Sequence, residues 1–338
     1  MTNRLELERL GAVDQVRAEW SALARASRNP FLTPEWCELW LAHVGADCRL
    51  HLFAGRRDGE TLAAIVPLVV TRGRYIRKAR FLGFGPAQEL GPLADPADRE
   101  AATELLRQAL AATRREWDVF LGDHLPGEGW TARLGGTLVA RKASPTVRGP
   151  WESWDGYLAS RSSNLRQELR RKERRLSDRG LHYREVSEPS DLDGALDVLF
   201  ELHRERWGDE ASIWFAGQEA FQRAFSRTAL ERGWLRLRLL ELNGRPVAAY
   251  CGFRFGGVER SYQFGRDPSE KSSSVGLVLV AYALRRSLEE GATEFKLGPG
   301  AQLYKTRFAT EDPGLETVGL ARGLRGRAAI LAAKKRGR

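Results

Sequence analysis

Trp234-Leu-Arg-Leu-Arg-Leu-Leu-Glu-Leu242, then Asn243-Gly244, then Arg245-Pro-Val-Ala-Ala-Tyr-Cys-Gly252 is the stretch from which the fold can be read. Apolar-rich runs flank an Asn-Gly pair, a strong two-residue hairpin signal, so strands are predicted over Trp234–Leu242 and Pro246–Phe255. Gly256-Gly257 turns the chain into a third strand, Val258–Phe264. A helix over Val275–Glu290 ends at Gly291, and a strand over Thr293–Leu297 follows.

Working outward, the same order of elements is found upstream. Strands are predicted over Arg49–Ala54 and Thr61–Val70 around Arg57-Asp-Gly59, and a third over Ile76–Gly83. A helix over Arg99–Glu116 and a strand over Trp117–Leu121 complete the set. Helices at Val16–Ala26 and Pro34–Val44 precede the first set; Leu192–Trp207 and Gln218–Arg232 precede the second. The expected fold is therefore α/β with mixed sheets, two copies of one architecture in tandem.

Pro145, Gly149 and Pro150 mark a loop, which puts the first domain at residues 1–150. Residues 151–180 read as a joining helix, 181–312 as the second domain and 313–338 as a basic tail. In the joining helix, Leu158, Leu165, Leu169 and Leu176 share one face as a packing seam. Arg170, Arg171, Arg174 and Arg175 lie opposite; a plain solvated face competes there with a role in binding.

The chain has 338 residues, enough for two cores, and a net charge of +10. The excess is local. Residues 161–179 carry eight basic and three acidic side chains, and residues 322–338 carry seven basic and none acidic. The rest is slightly acidic, 39 basic against 41 acidic. That pattern favours a specific anionic partner over a general nucleic-acid coat. No apolar run approaches membrane-spanning length, and the N-terminus lacks a signal-peptide core, so a cytoplasmic protein is expected. Cys37, Cys48 and Cys251 are expected as free thiols, and the five histidines form no ligand pattern, so no metal is expected. The tail is weakly amphipathic; a mobile terminus and peripheral contact with an anionic membrane surface both remain open.

Chemistry is expected where the two helices begin. Asp95-Pro-Ala-Asp98-Arg-Glu100 places three carboxylates before the first helix, which would repel a pyrophosphate. Lys271-Ser-Ser-Ser-Val-Gly276 precedes the second, offering a cation, small residues and a helix N-terminus. An ordinary serine-rich cap is the competing reading. Beyond the second helix, Glu294-Phe-Lys-Leu-Gly-Pro-Gly300 turns away from the sheet and delivers Tyr304 and Lys305 to the strand's carboxyl end. A phenol there can protonate a leaving thiolate, and an ammonium can stabilise an oxyanion. No Cys or Ser shows a nucleophile-and-base arrangement.

Phe295-Lys-Leu-Gly-Pro-Gly-Ala-Gln-Leu-Tyr-Lys-Thr-Arg-Phe308 resembles the closing motif of the CelD/BcsL-like acetyltransferases of the GNAT superfamily. Phe31-Leu-Thr-Pro-Glu-Trp36 with Trp40 resembles that group's opening helix, and Trp154–Gly180 its basic linking helix. The resemblance spans roughly residues 27–310 and implies two fused GNAT-like domains, as in the FemABX aminoacyl transferases. The usual Q/R-x-x-G-x-G/A loop is reduced here to Gly276, and Lys296 and Gln302 stand where acids are common. Glu259, Asp267 and Glu294 are the remaining candidate acids.

The resemblance implies an acyltransferase moving an acyl group, expected to be acetyl, from acyl-CoA to an amine or hydroxyl. Lys271, Ser272, Ser273, Ser274, Val275 and Gly276 would hold the cofactor's pyrophosphate, with Tyr304 as general acid and Lys305 as electrostatic stabiliser. Arg166, Arg170, Arg171 and Arg174 would hold a small-molecule, glycan or peptide acceptor, in cell-envelope or exopolysaccharide synthesis. Two rivals stay open: aminoacyl transfer from charged tRNA, and a non-catalytic binding protein of the same fold.

Overall fold

The computed structural model describes residues 5–208 and 217–336, with no account of the side chains of residues 271–273 and 336. It divides into two compact units, one made of residues 1–143 and 313–338, the other of Ser144–Asp312.

The first unit carries strands β1 (Glu6–Leu10), β2 (Arg49–Arg57), β3 (Thr61–Arg72), β4 (Arg77–Phe81), β5 (Leu93–Ala94), β6 (Val119–Pro126) and β7 (Thr137–Lys142). To these it adds a late strand, β14 (Leu315–Ala321). Their order is β1-β2-β3-β4-β6-β14-β7, with β5 paired to β3. The β2–β3 turn sits at Asp58 and Gly59, both at positive φ. Helices α1 (Arg17–Ser27), α2 (Pro34–His43), α3 (Arg99–Ala112) and α4 (Trp130–Leu134) belong to this unit. Trp20, Trp36 and Trp40 are fully buried. The motif Phe31–Trp36 works as an anchor: Thr33 caps α2, and the Phe31 and Trp36 rings meet edge-on at 4.7 Å.

The second unit carries β8 (Thr146–Arg148), β9 (Leu181–Glu185), β10 (Leu235–Leu242), β11 (Arg245–Phe255), β12 (Val258–Arg266) and β13 (Glu294–Lys296), ordered β8-β13-β12-β11-β10-β9. Asn243 at φ 50° and Gly244 at φ 78° make the expected hairpin turn, because both positions need the left-handed region. Its helices are α5 (Trp154–Ala159), α6 (Ser163–Ser177), α7 (Pro189–Trp207), α8 (Glu219–Glu231), α9 (Val275–Glu289) and α10 (Leu303–Phe308).

The repeat is real. In each unit three antiparallel strands lead into a helix and then a strand that pairs in parallel with the third. That pairing is β4 with β6 in the first unit and β12 with β13 in the second.

The domain limits differ from the sequence reading. The division falls between Ala143 and Ser144, not at 150, because Thr146–Arg148 pairs with β13. Residues 151–180 are not a separate joining helix. They form α5 and α6, whose Leu158, Leu165, Leu169 and Leu176 are buried against α9 in the second core. Of the predicted basic tail, 313–338, the described residues, 313–336, are not free either. They supply β14 and helix α11 (Gly323–Arg336), and Ile330 of α11 is buried with Val119 and Leu121 of β6. Among the described residues no helix is long and apolar enough to cross a membrane.

Candidate active site

The second unit opens where β12 and β13 part. Their parallel pairing covers only Val258–Arg260 against Glu294–Lys296, although β12 runs on to Arg266. Just past the pairing, β12 carries a bulge: Cys251 faces Gln263 and Gly252 faces Ser261, leaving Tyr262 without an opposite residue. Bulges re-aim a strand and end its pairing, often beside functional sites.

A cleft of about 210 Å3 lies at this end of the sheet, at the start of α9. Phe264, Leu277, Val280 and Tyr304 line it, together with Arg206 of α7 and Arg266 of β12. Ser274 caps α9 in the left-handed conformation at φ 61°, and the first turn of α9 contains no acid. The opening amides of a helix lack intrahelical partners and favour an anion. Gly276 keeps this end open, since a Cβ there would lie 3.2 Å from the Phe264 ring. Arg206 is stacked over Phe264 at 5.3 Å and over Trp207 at 4.6 Å. Burial lowers the pKa of its guanidinium.

Of the predicted cofactor residues, Ser274 and Gly276 line this cleft, and the buried Val275 packs into the core. The backbone of Lys271, Ser272 and Ser273 forms the end of a 3-10 turn; their side chains lie outside the described residues.

Tyr304 lies on the cleft wall, and burial raises the pKa of its phenol, which keeps it protonated at neutral pH. It is not at a strand end, as the sequence suggested, but on the helical turn α10, because Gly298 and Gly300, at φ 80° and 107°, carry the chain away first. Lys305 points elsewhere. Its buried ammonium donates to the carbonyls of Gly298 (3.1 Å) and Pro299 (2.7 Å), fastening that turn, and burial lowers its pKa to about 8.

The predicted acids are engaged in structure. Glu259 is fully buried, accepting from Arg238 at 2.7 Å and from the Tyr250 hydroxyl at 2.9 Å. Asp267 caps the 3-10 turn through Ser269 and pairs with Arg245; Glu294 pairs with Arg148 at 3.1 Å. Glu270, the one acid among the described lining residues, is gripped by Arg179 at 2.9 and 2.7 Å.

The structure does not bring the basic helix face to the cleft. Arg170, Arg171 and Arg174 are exposed on α6, and Arg170 borders a separate groove beside Trp154 and Tyr282. Arg166 donates to the carbonyls of Ala159 (3.0 Å) and Arg161, bracing the α5–α6 joint. What α5 and α6 do contribute is a hold on the closing motif. The Tyr157 hydroxyl donates to the Phe308 carbonyl at 2.6 Å, and Arg307 pairs with Glu168 at 2.7 Å.

Sequence reasoning missed Arg206, Phe264 and Arg266. Phe264-Gly-Arg266 carried a usable signal, an aromatic and a cation ending the strand before the serine loop. Arg206 carried none, since α7 reaches the cleft only through the fold. Among the described residues no group of three or more His, Cys, Asp or Glu gathers as a metal site would require.

The chain holds two α/β units of related topology. Residues 163–306 match the family model described as an acetyltransferase (GNAT) domain. FemX is similar in fold with a TM-score of 0.65 at 11% identity, over 97% of this chain and all of FemX. The C-terminal domain of a putative lysylphosphatidylglycerol synthetase from Agrobacterium fabrum gives 0.59 at 12%, over 95% of each chain. A tandem GNAT protein from the clavulanic acid biosynthesis pathway gives 0.52 at 12%, over 94% of this chain and 98% of that one. No curated protein matches the sequence.

Proposed function

We propose that the protein transfers an acyl group, acetyl in the simplest case, from a CoA thioester to an amine or hydroxyl acceptor. One observation carries the reading: the cleft beside the unpaired end of β12 joins a helix whose first turn has no acid, two arginines and an apolar wall to a protonated tyrosine. A pyrophosphate would meet the amides of Val275 and Gly276 with Arg206 and Arg266 beside them. The pantetheine arm would lie along Phe264, Leu277 and Val280, with its amides facing the unpaired edge of β12.

The acceptor attacks the thioester carbonyl carbon, the new C–N or C–O bond forms, and the C–S bond breaks. Tyr304 gives its proton to the departing thiolate, and the proton lost by the acceptor restores the phenol through solvent. Water is the proposed base, since every predicted carboxylate is already paired. Lys305 acts as a positioning residue that fixes the turn before Tyr304. The exposed Arg170, Arg171 and Arg174 are the candidate contact for an acidic acceptor of the cell-envelope or exopolysaccharide kind, the class suggested by the closing motif.

The test is a melting-temperature screen with acetyl-CoA, longer acyl-CoAs, free CoA and charged tRNA. A ligand at a hundredfold excess over its Kd adds about 2.7 kcal/mol of stability. A shift with acyl-CoA that Arg206→Ala and Arg266→Ala abolish supports the reading. A shift with charged tRNA alone, or with nothing, rejects it.

A further inference from the structure

The first unit contains a groove of about 680 Å3 that acyl transfer in the second unit does not use. It runs between the β3–β4 hairpin tip and α11, over β4, β6 and β7. Its lining combines two chemistries. Lys78, Arg80, Lys142 and Arg325 stand around it against one carboxylate, Asp123, which lies 3.6 Å from Arg80. Ile76, Leu121 and Val139 form the apolar part, and α11 turns Ala328, Ala329, Ala332 and Ala333 toward it. These alanines leave room and offer no side-chain hydrogen-bonding group.

His124, held at φ 55°, sits 3.2 Å from the Lys142 ammonium. Burial and Lys142 push its pKa down to about 4, so it is neutral and adds no positive charge. Tyr75, 70% exposed, borders the groove with Arg74 over its ring at 5.2 Å.

We infer that this groove binds an anionic amphiphile, with a phosphate or carboxylate head among Lys78, Arg80, Lys142 and Arg325 and an apolar stem along Leu121, Val139 and the alanine face of α11. A bare inorganic anion would leave the apolar wall wet, and a neutral hydrocarbon would make no use of the predominantly basic side of the lining. Both halves of the lining are satisfied only by a molecule carrying both properties.

Calorimetry with dodecyl phosphate below its micelle concentration tests this on the full chain, with inorganic phosphate and dodecyl maltoside as controls. Dodecyl phosphate should bind at least about tenfold more tightly than either control. The exposed pair K142E/R325E should weaken it by about tenfold or more, and A332W, which fills the alanine side, should do the same. Both variants should keep the acyl-CoA melting shift of the parent, so failure here and failure of acyl transfer are separately visible. Phosphatidylglycerol vesicles identify the source: sedimentation with vesicles that K142E/R325E abolishes assigns the head to a bilayer lipid, and binding of dodecyl phosphate alone assigns it to a soluble ligand. Equal binding of dodecyl maltoside, unchanged binding in both variants, or no binding of either anionic probe overturns the inference.

Discussion

Helices α3 and α9 hold the same place in their repeats yet begin in opposite ways. Asp95 and Asp98 lead into α3, Asp98 is paired with Arg57 at 2.6 Å, and Glu100 sits in the first turn. The start of α9 has a left-handed serine, a glycine and two nearby arginines instead. The acids of the 3-10 turn before it are engaged, Asp267 as that turn's cap and Glu270 by Arg179. A helix whose first turn carries a carboxylate has its dipole answered internally, whereas one with no acid in that turn can answer an incoming anion. One topology can thus start the equivalent helix with carboxylates in one copy and without them in the other, and a few first-turn side chains make the difference.

The sharpest way to break this contrast is at the tyrosine. Tyr304→Phe should lower kcat by about 10^2 to 10^4 with KM for acyl-CoA nearly unchanged, as for a lost general acid. Steady-state kinetics decides it, and an unchanged kcat removes Tyr304 from the mechanism.

Next in size is stability confined to one copy. Arg238→Ala would strand the fully buried Glu259 and should cost about 3–5 kcal/mol. Calorimetric unfolding should show the second unit melting earlier while the first keeps its transition; a single shared loss would mean that the copies unfold as one.

Making α9 resemble α3 should erase the ligand preference. Gly276→Asp adds a carboxylate beside Phe264 and should weaken acetyl-CoA binding by about tenfold, or about 1.4 kcal/mol, measured by titration calorimetry.

The smallest effect concerns Lys305. Its folded pKa is depressed to about 8 from an ordinary 10.5, so between those values the unfolded chain binds more protons. Stability should therefore rise with pH across that window and fall as pH drops through 8. Comparing denaturant midpoints of the parent and Lys305→Met at pH 8 and 10 isolates the slope, which should be shallower in the variant.

Much of the fold was legible because its signals are local. Asn243-Gly244 and Asp58-Gly59 set hairpins by backbone geometry alone, and Leu158 to Leu176 announced a buried face by spacing. The closing motif carries Tyr304, which lines the cleft, and its glycines announced the turn away from the sheet, but the short helix Leu303–Phe308 that follows was missed, since six residues are too few to show a helical period. What stayed hidden depends on contacts far apart in sequence. Nothing near Arg206 signals that α7 will carry it over Phe264. The charge at residues 313–338 suggested a loose terminus, and only pairing with β6 and β7 shows that Leu315–Ala321 is a strand hydrogen-bonded on both sides.

That late strand has a consequence for biosynthesis. A ribosome delivers the second unit whole, from Ser144 to Asp312, before the first can close its sheet, because β14 emerges only afterwards. The amino-terminal half must wait, with β6 and β7 lacking the strand that joins them, until Leu315–Ala321 has been made. Cutting the chain between Ala143 and Ser144 would therefore release a carboxy-terminal product carrying a strand that belongs to its former neighbour.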